Sequence, residues 1–326
     1  MRAVRGLLQP LAARGSARWR AVAAVSTAKA ATRHDVAVAR AAARHAQVVA
    51  AVARSWLDNP AGSADHTCLR AARAKEPRGT GELASVSDSL WAVLVLIFWT
   101  IVITQTAVFA ISIYLHRGLA HRALTLHPAA AFACRVVIWL LLGLKRQEWV
   151  AVHRKHHTFT DVAGDPHSPQ LVGIWRVWFG NVPLYLREAR KPEVLATWAP
   201  DIAPDAWDRW VFSRGLTGLA LGATILYLAI GWQGLISDLI HGTLNAFLLA
   251  PIVNGLGHWR GQKSYANTAY NIGWLAWITG GESLHNNHHA DPRSPRFSMA
   301  ERETDPTWWV IRCLETAGLA STHRRD

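Results

Sequence analysis

Cysteine is nearly missing from this chain: three in 326 residues, Cys68, Cys134 and Cys313, with no CxxC pair. That excludes a disulfide scaffold, an iron–sulfur cluster and a thiolate zinc site. No GxGxxG run is present either, so the chain carries no flavin or nicotinamide module of that type. A haem-cytochrome domain is missing as well. Charge is scarce: 17% of residues are Asp, Glu, Lys or Arg, against 51% hydrophobic. A formal balance of +13 could point to nucleic acid, but the basic residues form no long blocks with interleaved polar residues. They flank apolar stretches instead, as interfacial anchoring and positive-inside topology produce. No nucleic-acid partner is expected.

What the chain does have is organised unevenly. Residues 1 to about 57 are rich in Ala and Arg with almost no acid, a composition seen in organellar transit peptides and in variable extensions. Asn59-Pro60 and Gly79-Thr80-Gly81 mark a linker over 58–86. The expected division is a poorly ordered extension and linker, 1–86, followed by one domain, 87–326.

Leu90 to Leu115 holds no charge in 26 residues, long enough to cross a bilayer once with tilt. Leu216–Ile230 and Leu235–Val253, separated by Gly231-Trp232-Gln233-Gly234, read as a second and third span joined by a tight turn. Asp238 and His241 interrupt the third. Ala129–Leu144 is apolar but short, and it contains Arg135. The expected fold is therefore all-α: an integral membrane protein with about three transmembrane helices and a helical cap. If the histidine clusters are to meet, Ala129–Leu144 does not cross. Most loop cations, among them Lys145, Arg146, Arg187, Arg190, Lys191, Arg293 and Arg296, then share one side, which should be cytoplasmic. Three spans leave the Arg-rich N-terminus on the other face, in conflict with the same rule.

The dense feature is histidine. Of 16 histidines, eight lie in HRGLAH (116–121), HRKHH (153–157) and HNNHH (285–289), and a ninth closes NGLGH (254–258). On a helix His153, His156 and His157 fall within an arc of about 100°, and His285, His288 and His289 repeat that stripe. One HxxHH arises by chance with a probability of roughly 4%, so two copies beside an HxxxxH exclude accident. His116 and His121, five apart, sit about 140° around a regular helix. They should reach two different metals, unless the helix opens at Gly118. His127 and His241 read as structural or interfacial residues. Neutral imidazole suits zinc, copper, iron and nickel alike. Nine imidazoles exceed what one zinc takes but suffice for two metals with four or five ligands each.

HRGLAHR, EWVAVHRKHH with GDPHSP, NGLGHW and GGESLHNNHHADP together resemble the membrane fatty acyl desaturases, the stearoyl-CoA desaturase-like family, over roughly 87–320. The HRKHH and HNNHH wording is most similar to bacterial members. The resemblance implies two iron ions and O2 as co-substrate. It implies the ligands His116, His121, His153, His156, His157, His258, His285, His288 and His289, with Asn254 reaching one iron through water. It places Asp165 and His167 behind the ligands and makes Trp149 a candidate for the acyl tunnel wall. Arg117, Arg122, Arg154, Lys155 and Lys263 are candidates to meet substrate phosphate, or else snorkelling cations. The implied substrate is a long-chain acyl-CoA or phospholipid acyl chain, gaining a cis double bond, at Δ9. Electrons would come from a separate ferredoxin or small cytochrome with its reductase. The implied location is a bacterial cytoplasmic membrane, with the histidines facing the cytoplasm. After GHW the chain departs from many relatives, reading RGQKSYANTAYN (260–271), at the place where head group or donor would be recognised. A related diiron hydroxylase is the nearest alternative. A metal transporter is the alternative from another class, and it would need more ionisable residues within the spans than Asp238 and His241.

Overall fold

The computed structural model describes residues 80–323, with side chains from 89 onward. The Ala/Arg-rich extension and most of the expected linker lie outside the described residues. Helix α1, Thr80–Ala110, begins inside that linker and runs without a break into a π-helical segment, Ile111–Ala120. Strand β1 (Leu124–Leu126) leads to α2 (Pro128–Leu142) and α3 (Arg146–Thr158). Then come α4 (Pro169–Val172), α5 (Ile174–Ala189), α6 (Pro192–Trp198), α7 (Gly215–Ile230) and α8 (Trp232–Leu244). A second π-helical stretch, Asn245–Leu249, carries α8 into α9 (Ala250–Asn254) and a 3-10 turn, Leu256–His258. The remainder holds α10 (Ala276–Thr279), α11 (His285–Ala290), α12 (Pro306–Thr316) and β2 (Ala320–Thr322).

The protein is an all-α membrane fold with one two-stranded exception. Strand β1 pairs antiparallel with β2, Leu124 opposite Thr322 and Leu126 opposite Ala320, tying the C-terminal segment to the loop beyond His121. Among the described residues two helices are long and apolar enough to cross a membrane, Ser89–Ala120 with 32 residues and Trp232–His258 with 27. The bent pair α2–α3 makes a third if it counts as one span. Helix α7, expected as a full span, has only 16 residues, short of the roughly 20 that cross a hydrocarbon core. Helix α2 stops at Gly143, whose φ of 63° suits a left-handed cap, and α3 leaves at 88° to it.

The helices α1, α2, α7 and α8 pack as one layer through small residues. On α7, a Cβ at Gly215, Gly218 or Gly222 would strike the carbonyl oxygens of Gly143, Trp139 and Leu140. Such contacts let backbones approach where lipid offers no hydrophobic gain. His241 is a structural knot inside this layer. Its Nδ1 lies 3.3 Å from Thr104 Oγ1 on α1 and its Nε2 3.3 Å from the Leu141 carbonyl on α2. Arg135 does not face lipid: it pairs with Asp205 and Asp208 at 2.8 Å and lies over the Phe212 ring. The outward faces are apolar and exposed, with Leu94, Phe98 and Ile101 on α1, and Leu216, Leu221, Ile225 and Leu228 on α7. Exposed Trp91 lies near the start of the apolar span of α1 and exposed Trp232 opens α8, while exposed Trp207 and Trp210 precede α7. Tryptophan at both ends of a bundle is what membrane interfaces select.

Candidate metal centre

The first histidine pair is set by the helix type. Over 111–120 the backbone bonds from i to i+5, and the His121 amide donates to the His116 carbonyl at 3.1 Å. In a π-helix residues five apart stand above one another, so His116 and His121 turn to the same side. Of the two expected outcomes, two different metals or a helix opened at Gly118, the second is closer: the wider π-helical turn that contains Gly118 brings both into one group. Their rings lie 4.9 Å apart.

Nine imidazoles converge in two groups. His116, His121, His153, His157 and His288 form one; His156, His258, His285 and His289 form the other. Within each group one ring nitrogen per residue lies within 4.8 Å of all the rest. Each HxxHH stripe therefore straddles both groups: His153 and His157 go one way and His156 the other. The closest Nε2–Nε2 separations are 2.8 Å for His121–His153 and 3.0 Å for His116–His288 and His157–His288. In the second group they are 3.1 Å for His156–His258 and 3.2 Å for His285–His289. Two imidazoles bound at right angles to a metal at about 2.1 Å would sit about 3.0 Å apart. The donor set fits two metal ions, each ringed by nitrogen.

Behind three of these rings stand carboxylates. Glu282 Oε2 takes His116 Nδ1 at 2.6 Å, Asp165 takes His156 Nδ1 at 3.0 Å, and Asp161 takes His258 Nδ1 at 2.9 Å. An ionised carboxylate only accepts, so in the neutral ring that a metal ligand requires each contact puts the proton on Nδ1 and leaves Nε2 free and directed into the group. Burial alone would raise the Asp165 carboxyl. The hydrogen bond from His156 outweighs it and holds the group well below the usual carboxylate range. Asp161 is pulled down in the same way by His258, and Glu282 by His116. Burial, reinforced by neighbouring imidazoles, depresses His285, His288 and His289 far below their ordinary value, so they are neutral donors at pH 7.

The fatty acid desaturase family profile matches residues 89–303, a stretch containing all nine histidines. This chain belongs to the fatty acid desaturase family. Among its relatives, Delta-9 desaturase-like 5 protein of Arabidopsis thaliana is 35% identical over 219 residues, covering 63% of this chain and 69% of that protein. Acyl-CoA 5-desaturase AL21 of Anemone leveillei is 31% identical over 219 residues, covering 66% and 67%. Delta-9 acyl-lipid desaturase 2 of Arabidopsis thaliana is 29% identical over 218 residues, covering 65% and 69%. All three are plant proteins, and all are named desaturases.

In this desaturase the third histidine segment does more than supply imidazoles. Asn286 is buried and its amide accepts from the Ser264 and Tyr265 amides and donates to the Tyr265 and Ala269 carbonyls and to Asn267. Asn287 donates to the Phe297 carbonyl and to Glu303, and accepts from Asn271 at 2.7 Å. The unusual 260–271 stretch is thus pinned from below by the two asparagines of HNNHH. A cavity of about 370 Å³ opens beside that stretch, bordered by His121, His157 and His289 and by Thr160, Asn267 and Thr268.

The remaining sequence-chosen residues divide sharply. Asp165 lies behind His156, and the His167 ring stacks on His156 at 4.6 Å. Burial holds His167 neutral, its pKa lowered to about 3. Asn254 donates from Nδ2 to Asn181 at 3.0 Å, a partner on α5 that sequence did not indicate. Trp149 stacks on His153 at 4.8 Å and packs among Tyr114, Leu119 and Val150. Arg117 is the clearest correction among the proposed phosphate contacts. It is fully buried, held by Glu282 and Asp305, and out of reach of any substrate phosphate. Arg154 is also a strut, donating to the Leu119, Ala120 and Trp198 carbonyls and to Asp201. Lys155 pairs with buried Glu188 at 2.6 Å. Arg122 and Lys263 keep exposed side chains, though Arg122 pairs with Asp201 and Lys263 lies over the Tyr270 ring. Sequence reading missed Asp161, Glu282 and Asp305, each close in sequence to a histidine or to the C-terminal helix but none in a spacing that marks a ligand.

Proposed function

We propose that this desaturase introduces a cis double bond, at Δ9, into a long-chain acyl group carried by CoA or by a phospholipid, with O2 as co-substrate. The balance is one CH2–CH2 unit, O2, two electrons and two protons in, and one CH=CH unit with two waters out. Two irons would be held by the nine histidines in their five-and-four division, with Asn254 approaching through water. Iron bound there would supply the oxygen-dependent oxidising power that an unactivated C–H bond requires. The chain's own part is orientation and exclusion. Neutral imidazoles offer Nε2, the carboxylates of Glu282, Asp161 and Asp165 fix the tautomers behind them, and the apolar layer of α1, α2, α7 and α8 shelters the acyl chain from water. The observation that carries this reading is the convergence of nine imidazole nitrogens into two sets at the end of two membrane-length helices.

Electrons would arrive from a separate ferredoxin or small cytochrome with its reductase. The histidine end would face the cytoplasm, where the loop cations gather, in a bacterial cytoplasmic membrane. The test is gas chromatography–mass spectrometry of lipids from a host expressing the gene. New cis-monounsaturated chains are expected; hydroxy acids without new unsaturation would replace desaturation by hydroxylation.

A further inference from the structure

Arg117 follows a metal-facing histidine directly in sequence, yet it is the largest fully buried side chain among the described residues. Every donor of its guanidinium is engaged. Nη2 donates to both Asp305 oxygens, at 2.9 and 3.1 Å, and Nη1 donates to Glu282 Oε1 at 3.0 Å and to Ser112 Oγ. Nε donates to the Pro295 carbonyl at 2.9 Å, and the Phe297 ring covers the guanidinium at 3.6 Å. Glu282 turns its other oxygen to His116 Nδ1, and His116 Nε2 points into the five-histidine group. A continuous line therefore runs from Asp305 through Arg117 and Glu282 to His116.

The backbone is shaped to allow it. Gly280 and Gly281 adopt φ of 62° and 90°, and a Cβ on Gly281 would strike Asp305 Oδ1. Only glycine brings the Glu282 backbone so near Asp305 without strain. The two groups also differ in support. The four-histidine group has two carboxylates behind it, Asp161 and Asp165, neither touching an Arg or Lys in the contacts found. Among the described residues the five-histidine group has only the Glu282 carboxylate behind it, and Arg117 in turn holds Glu282 at 3.0 Å.

We infer that Arg117 is a positioning residue for the five-histidine site: it holds Glu282 oriented on His116, and so fixes the tautomer that presents Nε2 to metal. This rests on the two-iron reading above. A bidentate, charge-assisted fork holds two acids at once, which the single ammonium of a lysine would do only in part.

The test is iron content and the 57Fe Mössbauer spectrum of the purified full chain at limiting iron, for wild type and five variants. Wild type should hold two irons in two spectroscopic environments. Glu282→Gln, which keeps the shape and removes the charge, should weaken one iron by 10–100-fold, as loss of an outer partner usually does. Arg117→Gln should lose the same iron, and Arg117→Lys should recover part of it. The double variant should be no worse than either single one, since both break a single link. Asp165→Asn should lose the other iron. If Arg117→Gln fails to accumulate, Glu282→Gln decides. Retention of both irons at wild-type affinity in Glu282→Gln would overturn the inference while leaving the two-iron reading intact. Fewer than two metals in wild type would overturn both.

Discussion

The seam between α2 and α7 and the histidine cage are both tightly built, but by opposite means. At the seam nothing polar is exchanged between side chains. Gly215, Gly218 and Gly222 bring backbone against backbone, and the fit is one of volume. In the cage the contacts are directional, and three imidazoles are fixed by carboxylates behind them: His116 by Glu282, His156 by Asp165 and His258 by Asp161. The seam tolerates no added atom, whereas the cage tolerates no lost charge. Lipid-facing positions on the same helix, such as exposed Leu228, have neither constraint.

That contrast can be broken at several points. Removing an imidazole should have the largest effect: His157→Ala should fall below about a hundredth of wild-type desaturation, since even an outer partner is worth 10–100-fold. It should still insert in the membrane with normal thermal stability in detergent. Activity at wild-type level would remove His157 from the ligand set. At the seam, Gly222→Leu should cost about 3 kcal/mol or more through overpacking, read as a lower unfolding midpoint or loss of folded protein, while Leu228→Ala should change stability little.

Asp161→Asn sharpens the comparison within the cage. It should weaken one metal by about 10–100-fold with little effect on the unfolding of the metal-free protein, an outcome opposite to that of Gly222→Leu. A metal affinity equal to wild type would mean that Asp161 merely packs against His258. The smallest effect belongs to Asp201, whose carboxyl is held low by Arg154 and Arg122. A depressed carboxylate stabilises the fold above its unfolded pKa of about 3.9 and loses that contribution as pH falls below it. Asp201→Asn should therefore cost below about 1 kcal/mol at pH 7, with the difference from wild type shrinking under acid conditions.

How much of this was legible in the sequence follows from what periodicity encodes. The membrane helices could be found because charge is missing from Leu90–Leu115. The nine histidines stood out because HxxHH occurs twice. Regular helical angles left His116 and His121 between two metals and a helix opened at Gly118, since nothing local announces a π-helix. The stripe formed by His153, His156 and His157 was visible, but its division between two groups depends on α11 packing against α3 from a distant part of the chain. Glu282 and Asp161 were missed because a lone acid near a histidine has no distinctive spacing, and its role appears only when a ring nitrogen lies 2.6–2.9 Å away. Arg117 was misjudged for a related reason: next to a histidine at a membrane boundary, a cation looks like a phosphate ligand. Burial alone reveals it as a strut.

The central claim is that nine imidazoles form two adjacent iron sites. Anomalous diffraction at the iron edge from crystals of the full chain tests it most directly. Two iron peaks per chain are expected, one among His116, His121, His153, His157 and His288, the other among His156, His258, His285 and His289. A single peak, or a zinc edge with no iron signal, would contradict it.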